Sequence, residues 1–286
     1  GFGSEGLLTL AMHYRWSYRT EQEHFLRAEF GRAAHSGPDR AARLTAGAGL
    51  MDYFNGFLPG LGISPETVPV FEASFLELLD ALDIHFQHFP YFFGGFPSIA
   101  DFGFMAPMFA HLGRDPVPST LMKNRAPNVF RWTERMNLAD VADGEFPDQA
   151  DEWLPDDRIP ETLEPVLQLM FQDWGTQLQA DADFVNAWLT ANPDVREGRS
   201  TSADGVRRVH PVLGEISYGW RGVTVRRNSA PHGLWHFERA AQLARSLDGA
   251  ARDRFASLVS RLGGGKCMDI RTLRPMARED DALVFV

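Results

Sequence analysis

The segment from Pro90 to Leu112 constrains the fold of this chain more than any other stretch. Ser98 is followed three residues later by Asp101, the spacing of a helix capping box. The serine hydroxyl can accept from a backbone N–H at the helix start, and the carboxylate can accept from the serine N–H. The helix that follows is apolar almost all the way round, which predicts a place in the centre of a helical bundle. A buried helix start cannot rely on water, so we assign Ser98 and Asp101 to folding.

Helical periodicity covers most of the rest of the chain. We predict one long helix or a pair of helices over residues 5–34, and helices over 39–60, 64–89, 98–112, 161–191 and 231–262, the last with a break at Asp248-Gly249. Residues 213–227 change to an alternating pattern around Gly219-Trp220-Arg221-Gly222, which predicts a β-hairpin. The last twenty residues show neither period and are expected to be irregular. The predicted fold class is therefore all-α: a helical bundle around the capped helix, with further helices in the second half of the chain and one small β-hairpin.

The overall charge and the cysteine content exclude several classes of protein. The net charge of −10 argues against nucleic acid as a partner, because phosphate binding needs a basic surface. The single cysteine, Cys267, rules out an internal disulfide and suits a reducing compartment. No apolar run approaches the roughly 20 residues that span a bilayer, and the first residues do not resemble a signal peptide. We therefore expect a cytoplasmic protein without a membrane partner.

An acidic, proline-punctuated connector over residues 140–164 is the best candidate for a domain boundary. Its carboxylates, from Asp140 and Asp143 to Glu164, face a single basic residue, Arg158. Three apolar residues within it, Phe146, Trp153 and Leu154, are expected to anchor it to the protein surface. The sequence thus predicts a helical domain over 1–138 and a second region, over 139–286, that packs on it.

Two pairs of histidines have spacings that metal sites use. His232 and His236 stand at i and i+4 on one helix face, but Glu238 is not placed to be a third ligand on that face. His85 and His88 stand at i and i+3 and are expected at the surface, beside the apolar stripe of their helix. We interpret both pairs as ordinary helix histidines and predict no metal.

The sequence does not identify a catalytic residue. Lys266 precedes Cys267 and could lower the pKa of the thiol, but no base is placed beside it by the sequence. The glycines before it do not form a phosphate-binding GxxxxGK[ST] loop, and a GxSxG motif is absent from the sequence. The catalytic residue therefore stays unassigned.

Four pieces of sequence, in this order, resemble the helical domain of the glutathione S-transferase family. They are MHYRW at 12–16, the amphipathic helix from Phe75 to Gly95, the segment PYFFGGFPSIAD with its capping box, and APNVFRWTERM at 126–136. The resemblance covers residues 5–138 and, more weakly, 205–262. It implies the all-helical C-terminal fold of that family, and it also implies a homodimer.

The resemblance further implies a function and a set of site residues. The helical domain would form the pocket for a small apolar electrophile, with glutathione as co-substrate. The pocket residues that it implies are Tyr14, Arg15, Trp16, Tyr18, Met105 and Phe109. In the family the thiolate-stabilising group belongs to a preceding thioredoxin-like domain, and no βαβ pattern precedes Leu7. We therefore expect this chain alone to be inactive, and the sequence does not decide whether such a domain precedes it in the native protein.

Two alternatives stay open from the residues themselves. Tyr14 and Trp16 could simply pack in the core, with Arg15 and Arg19 covering the surface, instead of lining a ligand pocket. The whole chain could also be a non-catalytic helical module that binds a protein partner through an apolar surface.

Overall fold

The computed structural model describes residues 1–138, 144–229 and 231–286, and this part of the chain is mostly helical. The chain divides into two compact units, Leu7–Leu163 and a second unit formed by Gly1–Gly6 with Glu164–Val286. The predicted boundary between 138 and 139 lies next to residues 139–143, which are outside the described ranges. Asp140 and Asp143 of the acidic connector are among these residues. Among the described helices, we find none with the length and hydropathy that crossing a bilayer requires.

The first unit is built from helices and short helical turns. Its described helices are α1 (Leu8–Ser17), α2 (Arg19–Ala34), α3 (Arg40–Asn55), α4 (Val68–His88), α5 (Ile99–Pro107), α6 (Pro116–Arg125) and α7 (Pro127–Arg135). The helical pattern predicted for residues 5–34 is thus divided into two helices at Tyr18. Pro107 ends α5, and a wider turn over Met108–Gly113 continues the chain, as expected where proline removes a backbone donor.

The predicted capping box is formed at the start of α5. Ser98 Oγ accepts from the backbone N–H of Ala100 at 3.2 Å, and the Asp101 carboxylate accepts from the Ser98 N–H at 2.8 Å. The prediction that α5 has almost no wet face is wrong, because Ile99 is 90% exposed and Phe102 is 65% exposed. Only the face with Asp101 and Phe104 is covered by neighbouring side chains. An apolar composition therefore did not by itself decide which faces of this helix are buried.

Stacked aromatic side chains form the core beside α5. The rings of Phe86 on α4 and Trp132 on α7 are stacked with centroids 4.9 Å apart, and Phe92 meets Trp132 edge-on at 5.9 Å. Phe104 of α5 packs on Phe92 at 4.7 Å. These contacts stabilise the first unit, since each ring removes a large apolar area from water.

The second unit combines helices with two small sheets. Its described elements are α8 (Glu164–Leu169), α9 (Gly175–Ala191), β1 (Gly214–Trp220), β2 (Val223–Ser229), α10 (Pro231–Ser246), α11 (Gly249–Arg261), β3 (Met276–Glu279) and β4 (Ala282–Phe285). The predicted hairpin is confirmed, with antiparallel β1 and β2 joined by Arg221-Gly222, both at positive φ. The break between α10 and α11 lies at the predicted Asp248-Gly249.

The prediction of a single hairpin and of an irregular C-terminal segment is wrong. Strands β3 and β4 pair antiparallel in a second two-stranded sheet. All four residues of β4, Ala282–Phe285, are buried, so the strand lacks the alternation of apolar and polar residues that a half-exposed strand shows. Its turn uses Asp280 and Asp281 at positive φ, where glycine or asparagine is the usual sequence signal.

Candidate functional site

Two of the aromatic residues implied as pocket residues, Tyr14 and Trp16, lie in the core of the first unit. Both side chains are almost fully buried. Trp16 packs in a cluster with Leu26 and Met51. The Tyr14 ring contacts the Phe75 ring at 5.2 Å, and burial raises the pKa of the Tyr14 phenol. These positions match the alternative in which the two rings stabilise the fold.

Tyr18 belongs to a hydrogen-bonded cluster centred on Glu72. The Tyr18 hydroxyl donates to Glu72 Oε1 at 2.6 Å, and His13 Nε2 lies 3.0 Å from the same oxygen. The hydrogen bond to Glu72 raises the pKa of Tyr18 to about 12, whereas burial lowers the pKa of His13. The Tyr18 hydroxyl therefore has an internal acceptor in Glu72.

Arg15 lies at the edge of a cleft of about 220 Å³ between α1, α2 and the turn that precedes α6. The cleft is lined by Arg15, Phe25, Leu26, Glu29, Phe30, Ala33, Ala110, Arg114 and Asp115. The Arg15 guanidinium makes two hydrogen bonds to Asp115, at 2.7 and 2.8 Å, and lies over the Phe30 ring. Arg114 forms an ion pair with Glu29. The charges that line this cleft are thus paired with each other.

The remaining implied pocket residues lie apart from the lining of this cleft. Met105 and Phe109 are half-buried on α5 and on the turn after it, and neither lines the cleft. Arg19, one turn after Arg15, pairs with Asp52 at 2.8 Å. Of the six residues that the resemblance implies, the structure places Arg15 at the cleft. Sequence reasoning missed Phe25 and Phe30, although both follow the apolar period of α2.

The Asp101 carboxylate extends the capping box into a larger buried network. Besides the Ser98 N–H and hydroxyl, it accepts from the backbone N–H of Phe92 at 3.2 Å and from the Trp132 indole N–H at 3.0 Å. Burial raises the pKa of Asp101, and these donors oppose that shift. The carboxylate therefore connects three segments of the first unit, which supports its assignment to folding.

His85 lies in the interior, so the prediction that it is a surface residue is wrong, while His88 is exposed as predicted. The His85 Nδ1 atom lies 3.0 Å from the Thr162 hydroxyl, and the His85 Nε2 atom lies 3.3 Å from the Tyr91 carbonyl oxygen. A carbonyl only accepts, so Nε2 carries the proton and Nδ1 accepts from Thr162. Both ring nitrogens are used in this neutral form, and neither is available to a metal.

We expect His85 to make the protein less stable in mild acid. Burial lowers the pKa of His85 from 6.5 to about 4, so the unfolded chain takes up a proton that the folded chain refuses. The contribution is fully present above pH 6.5 and falls by about 3 kcal/mol as the pH drops from 6.5 to about 4. Urea unfolding of the wild type and of His85→Asn across this range measures it. Equal pH slopes in the two proteins would contradict the assignment.

The second unit contains an open groove of about 780 Å³ beside Cys267. The groove runs along α9 and β1, and its lining includes the polar residues Asp183, Glu215 and Lys266 as well as the apolar residues Phe184 and Ile216. The possibility that Lys266 lowers the pKa of the Cys267 thiol is not realised, because burial raises that pKa. Since the thiolate is the reactive form, this environment does not favour a nucleophilic cysteine.

Three potential metal ligands come together in the second unit. His232 and His236 lie on the first two turns of α10, and Glu5 approaches them from the short helical turn Phe2–Gly6. One ligand atom from each residue lies within 4.8 Å of the others. Glu238, which sequence reasoning considered as the third ligand, accepts from the Thr272 backbone and hydroxyl instead. Nothing in the local sequence of α10 could have indicated Glu5, which is distant along the chain.

Comparison with known proteins does not assign the chain to a family. No family model matches the sequence, and neither a curated protein nor a solved structure matches it.

Proposed function

We propose that the Leu7–Leu163 unit is the helical domain of a glutathione transferase-like protein, and that the cleft beside Arg15 binds the apolar co-substrate. The observation that carries this proposal is the aromatic wall that Phe25 and Phe30 present to the cleft. In the proposed reaction, the thiolate of glutathione attacks an electrophilic carbon. For an aryl halide a C–S bond forms, the carbon–halogen bond breaks and halide leaves. The cleft residues are proposed to bind the apolar co-substrate, and none of them is assigned to binding glutathione or to stabilising its thiolate.

The chemistry of the cleft supports a small, uncharged ligand. Its apolar wall is formed by the two phenylalanines together with Ala33 and Ala110. Its cations, Arg15 and Arg114, are paired with internal carboxylates, so an anionic ligand would have to displace one of them. The volume of about 220 Å³ lies below the range of about 300–1,000 Å³ typical of drug-sized ligands. A single-ring electrophile fits these properties best.

Filling the cleft should abolish ligand binding. We expect meta-dinitrobenzene, an unreactive analogue of an aryl halide, to bind the chain, and Ala33→Phe to weaken its affinity at least about tenfold. The new ring would occupy the space beside Phe30, whereas Ala34→Phe, at the next exposed position, would leave the cleft open and serves as the matched control. Isothermal titration calorimetry measures the affinities. Equal affinities in the two variants would rule out this cleft as the ligand site.

An exposed apolar surface favours a second candidate, the non-catalytic helical module that binds a protein partner through an apolar surface of its own. Ile99 and Phe102 are exposed on one face of α5, and the exposed Trp153 contacts the exposed Phe96 edge-on at 6.0 Å. Apolar residues gathered in this way are typical of interaction sites.

Two assays distinguish the candidates. Retention on glutathione resin and conjugation of chlorodinitrobenzene by this chain would contradict the non-catalytic module. Absence of conjugation by the full-length product of the native gene would contradict the transferase. The homodimer implied by the resemblance stays a prediction, which sedimentation of the full chain would test.

A further inference from the structure

We propose that Glu5, His232 and His236 form a binding site for a zinc ion, with a fourth coordination position open to water. The site belongs to the second unit and does not depend on the proposed transferase function. One carboxylate with two imidazoles is a donor set that zinc uses when three ligands come from the protein and the fourth is water. The two histidines stand one turn apart on α10, and Glu5 completes the set from another segment of the same unit.

One ligand-to-ligand distance already matches that of a tetrahedral zinc site. With metal–ligand bonds of about 2.0–2.2 Å, neighbouring ligand atoms in a tetrahedral site lie about 3.3 Å apart. Glu5 Oε1 and His232 Nδ1 are 3.2 Å apart, so this edge of the tetrahedron is already formed. The three ligand atoms all lie within 4.8 Å of one another. Rotations of the half-buried Glu5 and His236 side chains can bring the remaining atoms into range.

The environment of His232 provides independent support for a ligand. The residue is only 9% exposed, and its Nδ1 atom is buried without a hydrogen-bond partner. Glu5 Oε1 is near this nitrogen but does not meet the angular requirements of a hydrogen bond. Coordination of a metal ion would give this buried nitrogen a partner of good geometry and remove its desolvation penalty. This His232 Nδ1 atom is the same atom that lies 3.2 Å from Glu5 Oε1.

Arg278 contacts Nε2, the other ring nitrogen of His232. Its guanidinium lies 3.0 Å from His232 Nε2, and because arginine only donates, this contact requires Nε2 to accept and places the ring proton on Nδ1. A neutral ring that binds zinc through Nδ1 carries its proton on Nε2 and needs an acceptor there. The exposed Arg278 side chain must then turn away into water. Arg278 therefore opposes metal binding, and a carboxylate at the same position would support it.

The experiment titrates zinc into the metal-stripped full chain in competition with a chromophoric chelator. We expect one zinc ion to bind. Glu5→Gln and His236→Ala should each weaken the affinity at least about 100-fold, since the loss of an outer-shell partner alone costs 10–100-fold. The matched control, His88→Ala, removes an exposed histidine from the other unit and should leave the affinity unchanged. Equal affinities in the wild type and in His236→Ala would overturn the proposal.

A second variant keeps the test independent of folding defects. Arg278→Glu changes an exposed residue and supplies the acceptor that a zinc-bound His232 requires, so it should tighten zinc binding about tenfold or more. Arg278→Gln should have a smaller effect. Replacing zinc by cobalt should produce a visible absorption spectrum of four-coordinate geometry, which His236→Ala should lose. Weaker zinc binding by Arg278→Glu than by the wild type would contradict coordination through His232 Nδ1.

Discussion

Replacing Asp101 by alanine is expected to lower the free energy of unfolding of the first unit by about 4 kcal/mol. The substitution removes an acceptor that serves the Ser98 N–H and hydroxyl, the Phe92 N–H and the Trp132 indole N–H. The Phe92 and Trp132 donors are buried and the Ser98 donors are part-buried, so water replaces little of the lost acceptor and most of the desolvation penalty is felt. Urea unfolding followed by far-UV circular dichroism measures the loss.

Two controls separate the buried network from an ordinary helix cap. Asp101→Asn keeps one acceptor oxygen and should cost about 2 kcal/mol. Asp39 caps α3 at an exposed position through one hydrogen bond to the Ala42 N–H, and Asp39→Ala should cost about 1 kcal/mol. A loss for Asp101→Ala no larger than that for Asp39→Ala would show that the network contributes nothing beyond the cap.

Replacing Arg15 by alanine is expected to lower the free energy of unfolding by about 3 kcal/mol. The guanidinium contacts both oxygens of Asp115, whose side chain is only 1% exposed. Removing the cation leaves a buried carboxylate without its counter-charge, which costs more than the ion pair itself contributes. The same substitution also opens one edge of the cleft, so chemical denaturation and dinitrobenzene affinity should be measured on the same variant.

The more exposed pair on the following turn provides the matched control. Arg19 pairs with Asp52, whose side chain is well exposed, so Arg19→Ala should cost less than about 1 kcal/mol. The double variant Arg15→Met with Asp115→Leu removes both charges and should regain most of the stability. If the double variant is as unstable as Arg15→Ala, the loss comes from packing rather than from the unpaired carboxylate.

Most helices of this chain could be predicted from the sequence, because their signals are local. The capping box of Ser98 and Asp101 lies within one turn, and the break before Gly249 depends on two adjacent residues. The β1–β2 hairpin was predicted from an alternating pattern around Arg221-Gly222. In each case the residues that determine the backbone conformation are neighbours in the chain, so their effect can be read without knowing the tertiary structure.

Features that depend on distant residues could not be predicted in the same way. The four apolar residues of β4 resemble any short buried segment until their pairing with β3 is known. His85 is expected at the surface from its place beside the apolar stripe of its helix, and only the positions of Thr162 and Tyr91 show that both ring nitrogens are satisfied inside. Arg15 likewise gains its role from Asp115, which is far from it in sequence.

The amino-acid sequence by itself determined that most of the chain is helical, and that a serine–aspartate box caps the start of α5. Only the tertiary structure decided that Ile99 and Phe102 face water, and that Glu5 meets His232 and His236. The reason is physical: hydrogen bonds and φ, ψ preferences act over a few residues, whereas burial and ligand geometry depend on which distant segments pack together.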